Sequence, residues 1–255
     1  MIDITTRPVS YTHLTLPTIR KYTAEDVPSD LVNELLKKAE RTQTMGNLQL
    51  YSVVATRDPA NKARLAPLHF NQPMVQNAPV VLTFCADFHR TTEWAQRRKG
   101  HPGYDNFLSF LNAASDALLF CQTFCHLAEE AGLGLCYLGT TLYNASGIID
   151  ALALPRLVMP IATITLGRPA EEPPLSDRLP LSAILHEEKY QPFTDESIDR
   201  GYRYKESLPE NQRFVEENQK ETLAQVFTDC RYTKHDNEAL SATLLEALRR
   251  QGFLD

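Results

Sequence analysis

FLSFLNAASDALLFCQTFCHLAEEAGLGLCYLG, residues 107–139, decides how the rest of this 255-residue chain is read. Phe107, Phe110, Leu111, Ala114, Leu118, Cys121, Phe124, Cys125 and Ala128 recur at helical spacing, and Leu108, Leu119 and Leu127 fill the sides between them. The spacing predicts a helix over about 105–131 that is apolar around most of its circumference and buried nearly all round. Such a helix in a chain of this size belongs at the centre of the fold or in a subunit interface. Gly132 is a natural left-handed stop, and Leu135-Cys136-Tyr137-Leu138 then reads as a strand.

Upstream, Pro28-Ser29-Asp30 opens a helix through about Arg41, with Leu31, Leu35, Leu36 and Ala39 on one face and Ser29 or Asp30 as its cap. Residues 51–56 read as a strand. Asp58-Pro59 supplies a cap and a first-turn proline for a helix to about His69. Asn77-Ala78-Pro79 ends a short helix before the strand Val80–Ala86, apolar on both faces and so expected at a central position. Downstream come a helix over 146–152, a second central strand over 159–166 ended by Gly167, and a proline-rich extended loop over 168–180. Amphipathic helices are expected over about 197–207, 210–227 and 237–250, the last ended by Gly252. Strands and helices alternate irregularly, which favours α+β over a doubly wound parallel sheet. The expected organisation is one domain over 1–255, with about 195–255 as a helical C-terminal extension.

Hydrophobic residues make up 43% of the chain and charged residues 23%, values ordinary for a globular protein that stays in water. The net charge of −6 argues against a nucleic-acid partner, which needs a basic face. No window approaches the ~20 apolar residues of a membrane span, and the first residues lack the apolar stretch of a signal peptide. The expected location is the cytoplasm. Five cysteines, an odd number without a CxxC pair, read as reduced thiols. Cys121 and Cys125 share a helix face but have no third or fourth ligand at metal spacing, so buried thiols are the better reading.

Familiar catalytic motifs are missing from the sequence. There is no GxGxxG and no phosphate loop, and Gly132-Leu133-Gly134 enters a strand where a dinucleotide fingerprint leaves one. Neither HExxH nor GxSxG occurs. His69, His89, His126 and His186 have no partner at motif spacing and read as structural or surface residues, and Glu187-Glu188 reads as a solvated face.

Six segments in order nevertheless resemble the nitroreductase family, most closely its oxygen-insensitive NADPH-dependent nitroreductase and flavin reductase branch. They are Thr18-Ile19-Arg20-Lys21-Tyr22-Thr23; Asn47–Val54; Asn71-Gln72-Pro73 ahead of Asn77–Val81 and Phe84–Phe88; Ala131–Gly139; Leu166–Ala170 with Asp177–Pro180; and His186–Pro192. The likeness runs from about residue 18 to near the end. It implies a central, mainly antiparallel sheet flanked by helices in a domain-crossed homodimer. It also implies bound FMN, with NADPH or NADH as electron donor and a small-molecule acceptor such as a nitro compound, a quinone or a flavin. The helix over 105–131 is the expected centre of the dimer interface, with a monomer-core helix as the alternative.

By the same resemblance Arg20 lies at the N1–O2 edge of the flavin, where a fixed cation favours the reduced, anionic ring. Arg178, in its proline-flanked loop, suits the phosphate. Thr18 and Thr44 are candidates for the ribityl chain or phosphate, and the amides of Asn47, Gln49 and Gln72 for the polar pyrimidine edge. Tyr137, Leu138, Gly139 and Thr140 match the stretch whose backbone runs along the ring, with an N–H of Gly139 or Thr140 directed at N5. Each polar residue can also be read as an ordinary surface or turn side chain. Arg200, Arg203, Arg231 and Lys234 are candidates for a nicotinamide 2′-phosphate, or simply a solvated basic patch. No side-chain acid, base or nucleophile is implied; the cycle is ping-pong hydride transfer. Delivery of free reduced flavin, or flavin binding without turnover, are the competing readings.

Two positions depart from the family pattern. Pro17 stands where an arginine usually precedes the Ser/Thr of the first segment, and Ser176 where a lysine stands two residues before the loop arginine. Each missing charged contact is worth about 1.5–3 kcal/mol, so weak FMN retention is expected. The decapeptide Val9–Thr18 also resembles a translated sequencing-library adapter, and its removal from the gene is expected to restore the arginine.

Overall fold

The computed structural model describes residues 17–255, so most of the Val9–Thr18 arm lies outside the described residues. The chain divides into two compact units, one running to Pro174 and resumed by Ser241–Asp255, the other Leu175–Leu240.

The first unit is built on four strands, β1 (Tyr51–Thr56), β2 (Val80–Asp87), β3 (Gly134–Leu138) and β4 (Val158–Gly167), in the order β1-β2-β4-β3 and antiparallel throughout. The two apolar runs, β2 and β4, are the central strands and are buried along their whole length. Pro160 sits in the middle of β4, where a missing N–H breaks a ladder. The register steps there: Phe84 faces Ala162 and Cys85 faces Pro160, leaving Ile161 as the extra residue of a bulge.

Helices α1 (Ser29–Ala39), α2 (Pro59–Leu65), α3 (Pro73–Asn77), α4 (His89–Arg97), α5 (Phe107–Glu130) and α6 (Ala145–Ala151) surround the sheet. Asn106 caps α5 by accepting the N–H of Ser109 at 3.0 Å, and Gly132 ends it with φ +72°. The buried face of α5 packs on all four strands, with Tyr51 and Phe120 stacked at 4.1 Å and Phe84 against Phe120 and Phe124. The expectation of burial all round does not hold within one chain. Phe107, Leu108, Leu111, Leu118 and Leu119 form an exposed stripe along the opposite face, Leu108 at 67%.

Asp58 caps α2 as expected, accepting the N–H of Asn61 at 2.9 Å, but α2 stops at Leu65 and continues to His69 as a 3-10 turn. The residue before α1 is Pro28, which offers no side-chain cap; Ser29 and Asp30 lie inside the helix instead. Helix α4 was not anticipated because its sequence, HRTTEWAQR, is mostly polar, with Trp94 and Ala95 as its apolar residues. Asp87 starts it by accepting the N–H of Arg90 at 3.0 Å.

The second unit holds α7 (Asp195–Ser207), α8 (Pro209–Glu217) and α9 (Leu223–Gln225), which continues as a π-helix over Val226–Arg231. The helix expected over 210–227 is therefore broken. Gln219 takes a left-handed φ of 52°, and Thr222 starts the next helix with a capping box to Gln225. The last helix, α10 (Lys234–Gln251), ends at Gly252 with φ +78°, and its Ala247 and Leu248 enter the core of the first unit with Phe253.

Candidate functional site at the two sheet edges

Two glycines explain how residues 18–22 come to lie on the β3 edge. A Cβ on Gly134 would meet Ile19 at 2.8 Å, and one on Gly167 would meet Tyr22 at 2.7 Å. With neither Cβ present, the segment adds itself to the sheet. Thr18 bridges Leu135, the Ile19 N–H donates to the Leu135 carbonyl at 2.9 Å, and Tyr22 bridges Pro169. The Tyr22 hydroxyl lies 2.7 Å from Thr165 Oγ1 and 2.8 Å from the Ile19 carbonyl, and burial pushes its pKa well above the usual phenol range.

Arg20 sits in this added segment. Its N–H and that of Lys21 both donate to Glu171 Oε1, at 2.7 and 3.0 Å, and these bonds, the one from Arg20 foremost, hold the carboxyl below its usual range. Glu171 thus anchors the backbone of Arg20, and among the described residues the guanidinium has no hydrogen bond or ion pair of its own.

The Gln72 turn and the Gly139 turn meet nearby. A 3-10 turn over Gly139–Thr141 follows β3. Thr140 Oγ1 lies 2.8 Å from Nδ1 of the fully buried His69, and the His69 carbonyl accepts the Gln72 N–H at 3.2 Å. Phe70 and Asn71 hold left-handed backbone (φ 55° and 52°) between them. The Gln72 side-chain amide has no partner among the described residues. Open space lies beside Gly139, where a Cβ would meet nothing within 4 Å. Tyr137 is half exposed on β3, while Leu138 is buried.

Thr44, Asn47 and Gln49 lie elsewhere, in the loop before β1 at the opposite edge. This loop is conformationally expensive: Gly46, Asn47 and Gln49 have φ of 54°, 55° and 49°. Asp116, buried in the middle of α5, holds it by accepting the N–H groups of Met45 and Leu50 at 2.9 and 3.1 Å. The Gln49 amide donates to Asn47 Oδ1 at 2.7 Å, and Arg90 binds the Gln49 carbonyl. Sequence reasoning missed Asp116; an acid in the middle of a helix whose only other acids, Glu129 and Glu130, are its last two residues was the available signal.

The structure therefore sets Thr18 and Arg20 beside the start of β3, ties the Gln72 turn to Thr140 after its end, and leaves Thr44, Asn47 and Gln49 at the β1 edge. Three inter-strand spacings, about 14 Å, separate β1 from β3. One sheet face is covered by α5 and the other by α2, α3 and their neighbours.

In the second unit, Arg178 Nη1 folds onto its own loop, bonding Ser176 Oγ at 2.9 Å and the Asp177 carbonyl at 2.8 Å, while Lys205 pairs with Asp177 at 3.0 Å. Arg231 lies 4.4 Å from the centre of the Phe214 ring, Lys234 pairs with Glu238 at 3.7 Å, and Arg200 and Arg203 are exposed. Four of the five thiols, Cys121 and Cys125 included, are buried. Among the described residues, no helix is long and apolar enough to cross a membrane.

The sequence profile of the Nitroreductase family matches residues 17–168. An FMN reductase (NADPH) of Bacillus subtilis (strain 168) is 31% identical over 180 residues, covering 70% of this chain and 72% of that protein. An oxygen-insensitive NADPH nitroreductase of Salmonella typhimurium is 31% identical over 192 residues, covering 75% and 77%. Among solved structures, a Bacteroides fragilis NCTC 9343 protein described as an oxidoreductase superimposes with a TM-score of 0.95 at 62% identity, covering 96% of this chain and 100% of that one.

Proposed function

Because the chain belongs to the nitroreductase family, we propose that it is an FMN-dependent oxidoreductase that takes hydride from NADPH or NADH and reduces a nitro compound, a quinone or a flavin. The observation that carries this reading is the layout along β3: Arg20 is held in the segment beside its start by Glu171, and the open backbone turn at Gly139, tied to the Gln72 turn through His69, follows its end. Bound FMN supplies the two-electron redox chemistry.

The residues present suit that group. Arg20 places a fixed positive charge where the reduced ring is richest in electrons, and Gln72 offers both donor and acceptor to the pyrimidine edge. The open side of Gly139 lets the backbone approach the ring closely. Thr18 suits the ribityl chain or phosphate by its hydroxyl, and Arg178 suits a phosphate by its charge. Asn47, Gln49 and Thr44 act from a second copy of the chain, because one copy holds them at its far edge. The exposed stripe of α5 is the apolar surface that such a homodimer buries. The four buried, reduced thiols suit the cytoplasm.

The test is an absorbance spectrum of the purified protein after incubation with FMN, followed by NADPH oxidation with a nitrofuran or quinone. A flavin spectrum and acceptor-dependent oxidation are expected, and Arg20→Met is expected to slow flavin reduction about 100-fold. Failure to take up FMN contradicts the proposal. Pro17 and Ser176 favour a second reading, flavin binding without turnover, which a yellow protein with only background oxidation would support. Delivery of free reduced flavin uses the same site, as the relative named FMN reductase suggests; competition between FMN and the nitro acceptor separates the two.

A further inference from the structure

His69 has a larger part than filling the core. It is fully buried, and burial pushes its pKa down to about 4, so the ring is neutral. Its Nδ1 lies 2.8 Å from Thr140 Oγ1, and its buried Nε2 has no partner among the described residues. A buried N–H without an acceptor costs more than a buried lone pair without a donor. The favoured tautomer therefore carries its proton on Nδ1, donates it to Thr140, and leaves the Nε2 lone pair orphaned.

The same residue reaches the other binding turn through its main chain, where its carbonyl accepts the Gln72 N–H. The flanking backbone reinforces the junction: Asn144 Nδ2 donates to the Leu68 carbonyl at 2.7 Å, and the Phe70 and Tyr143 rings lie 6.4 Å apart. One residue thus ties two segments, its imidazole reaching Thr140, 71 residues away in sequence, and its carbonyl the Gln72 N–H. Those segments carry Gln72 on one side and the Gly139–Thr140 backbone on the other.

We propose that His69 is a positioning residue for the flavin site, setting the Gly139–Thr140 turn against the Gln72 turn so that a backbone N–H is directed at the hydride-accepting edge of the ring. This rests on the FMN reading above and adds to it. An ion at this position would have fixed the turn as well, but would have placed a charge beside the ring. The neutral ring fixes the geometry alone, and Arg20 remains the cation that sets the electrostatics.

Sulfite is a suitable probe, because it binds oxidised flavin at N5 and needs no nicotinamide or acceptor. Wild type, His69→Leu, Thr140→Val, the double variant and His69→Asn are loaded with FMN and titrated with sulfite by absorbance. His69→Leu and Thr140→Val are each expected to weaken sulfite binding about 10-fold, the double variant no more than either. His69→Asn, which keeps a donor near the Nδ1 position, should stay within about two-fold of wild type. Should His69→Leu fail to fold, Thr140→Val carries the test, since it removes only the hydroxyl. Sulfite affinities unchanged in the variants, with FMN bound normally, overturn the positioning role and leave the flavin reading intact. A wild type that takes up no FMN overturns both.

Discussion

The two edges of the sheet hold their candidate binding residues by different means. At the β3 edge, Thr18 and Arg20 are part of an added strand seated on Gly134 and Gly167, and share the stability of the ladder. At the β1 edge, Asn47 and Gln49 sit in a loop with three left-handed residues, fixed from below by Asp116. A sheet-built half-site can be read from sequence motifs, whereas a loop-built one depends on a buried partner far away in the chain. On the proposed reading neither edge is complete in one copy, and the two halves meet when the exposed stripe of α5 brings two copies together.

The largest effect is expected from breaking that meeting. Leu111→Asp with Leu118→Asp puts two carboxylates in the exposed stripe of α5. We expect monomers by sedimentation and FMN affinity reduced at least about 100-fold, although no residue at either edge has changed. Dimers that persist and bind FMN normally would place the interface elsewhere.

Next comes the anchor of the β1-edge loop. Asp116→Ala leaves the N–H groups of Met45 and Leu50 without their acceptor, and a loss of about 3 kcal/mol in denaturant unfolding is expected. Asp116→Asn keeps one acceptor oxygen and should lose roughly half as much. Glu171→Gln, at the better-supported β3 edge, should cost less than either. Equal losses at the two edges would erase the distinction drawn between them.

The departures from the family sharpen the comparison on the phosphate side. Pro17→Arg and Ser176→Lys should each tighten FMN binding about 10-fold or more, measured by equilibrium dialysis. Tight FMN retention by the unaltered chain would remove the reason for expecting that gain.

The smallest effect concerns pH. His69 is neutral when folded, with a pKa of about 4, and titrates near 6.5 when unfolded. Between those values the unfolded state binds more protons, so stability falls as pH drops through 6.5 and stops falling from this source below about 4. Compared with His69→Leu, the wild type should lose about 1–2 kcal/mol more between pH 7 and pH 5, as followed by thermal or urea unfolding.

Much of this architecture was legible before any coordinates. The apolar runs 80–86 and 159–166 read as central strands because both faces are buried, and Asp58, Gly132 and Gly252 act as the caps and stops their chemistry suggests. The failures have physical causes. Helix α4 is mostly polar and depends on Asp87. The break at Gln219 is a left-handed residue type that rarely marks one. The circumference of α5 was apolar for two reasons, a core on one side and a stripe exposed in the single chain on the other, and periodicity alone does not separate them. Arg20, Gln72 and Gly139 were singled out as candidates through motifs; Asp116, Glu171 and the His69–Thr140 bond were not, because they arise from contacts between distant parts of the chain.

The central claim, that one flavin site is assembled from the β3 edge of one copy and the β1 edge of another, is tested most directly by complementation. Chains carrying Arg20→Glu and chains carrying Asn47→Leu with Gln49→Leu should each bind little FMN alone. Co-expressed, half of the dimers are mixed and each has one intact site, so FMN occupancy should recover to about a quarter of wild type. Occupancy no greater than that of the separate variants would contradict a shared site.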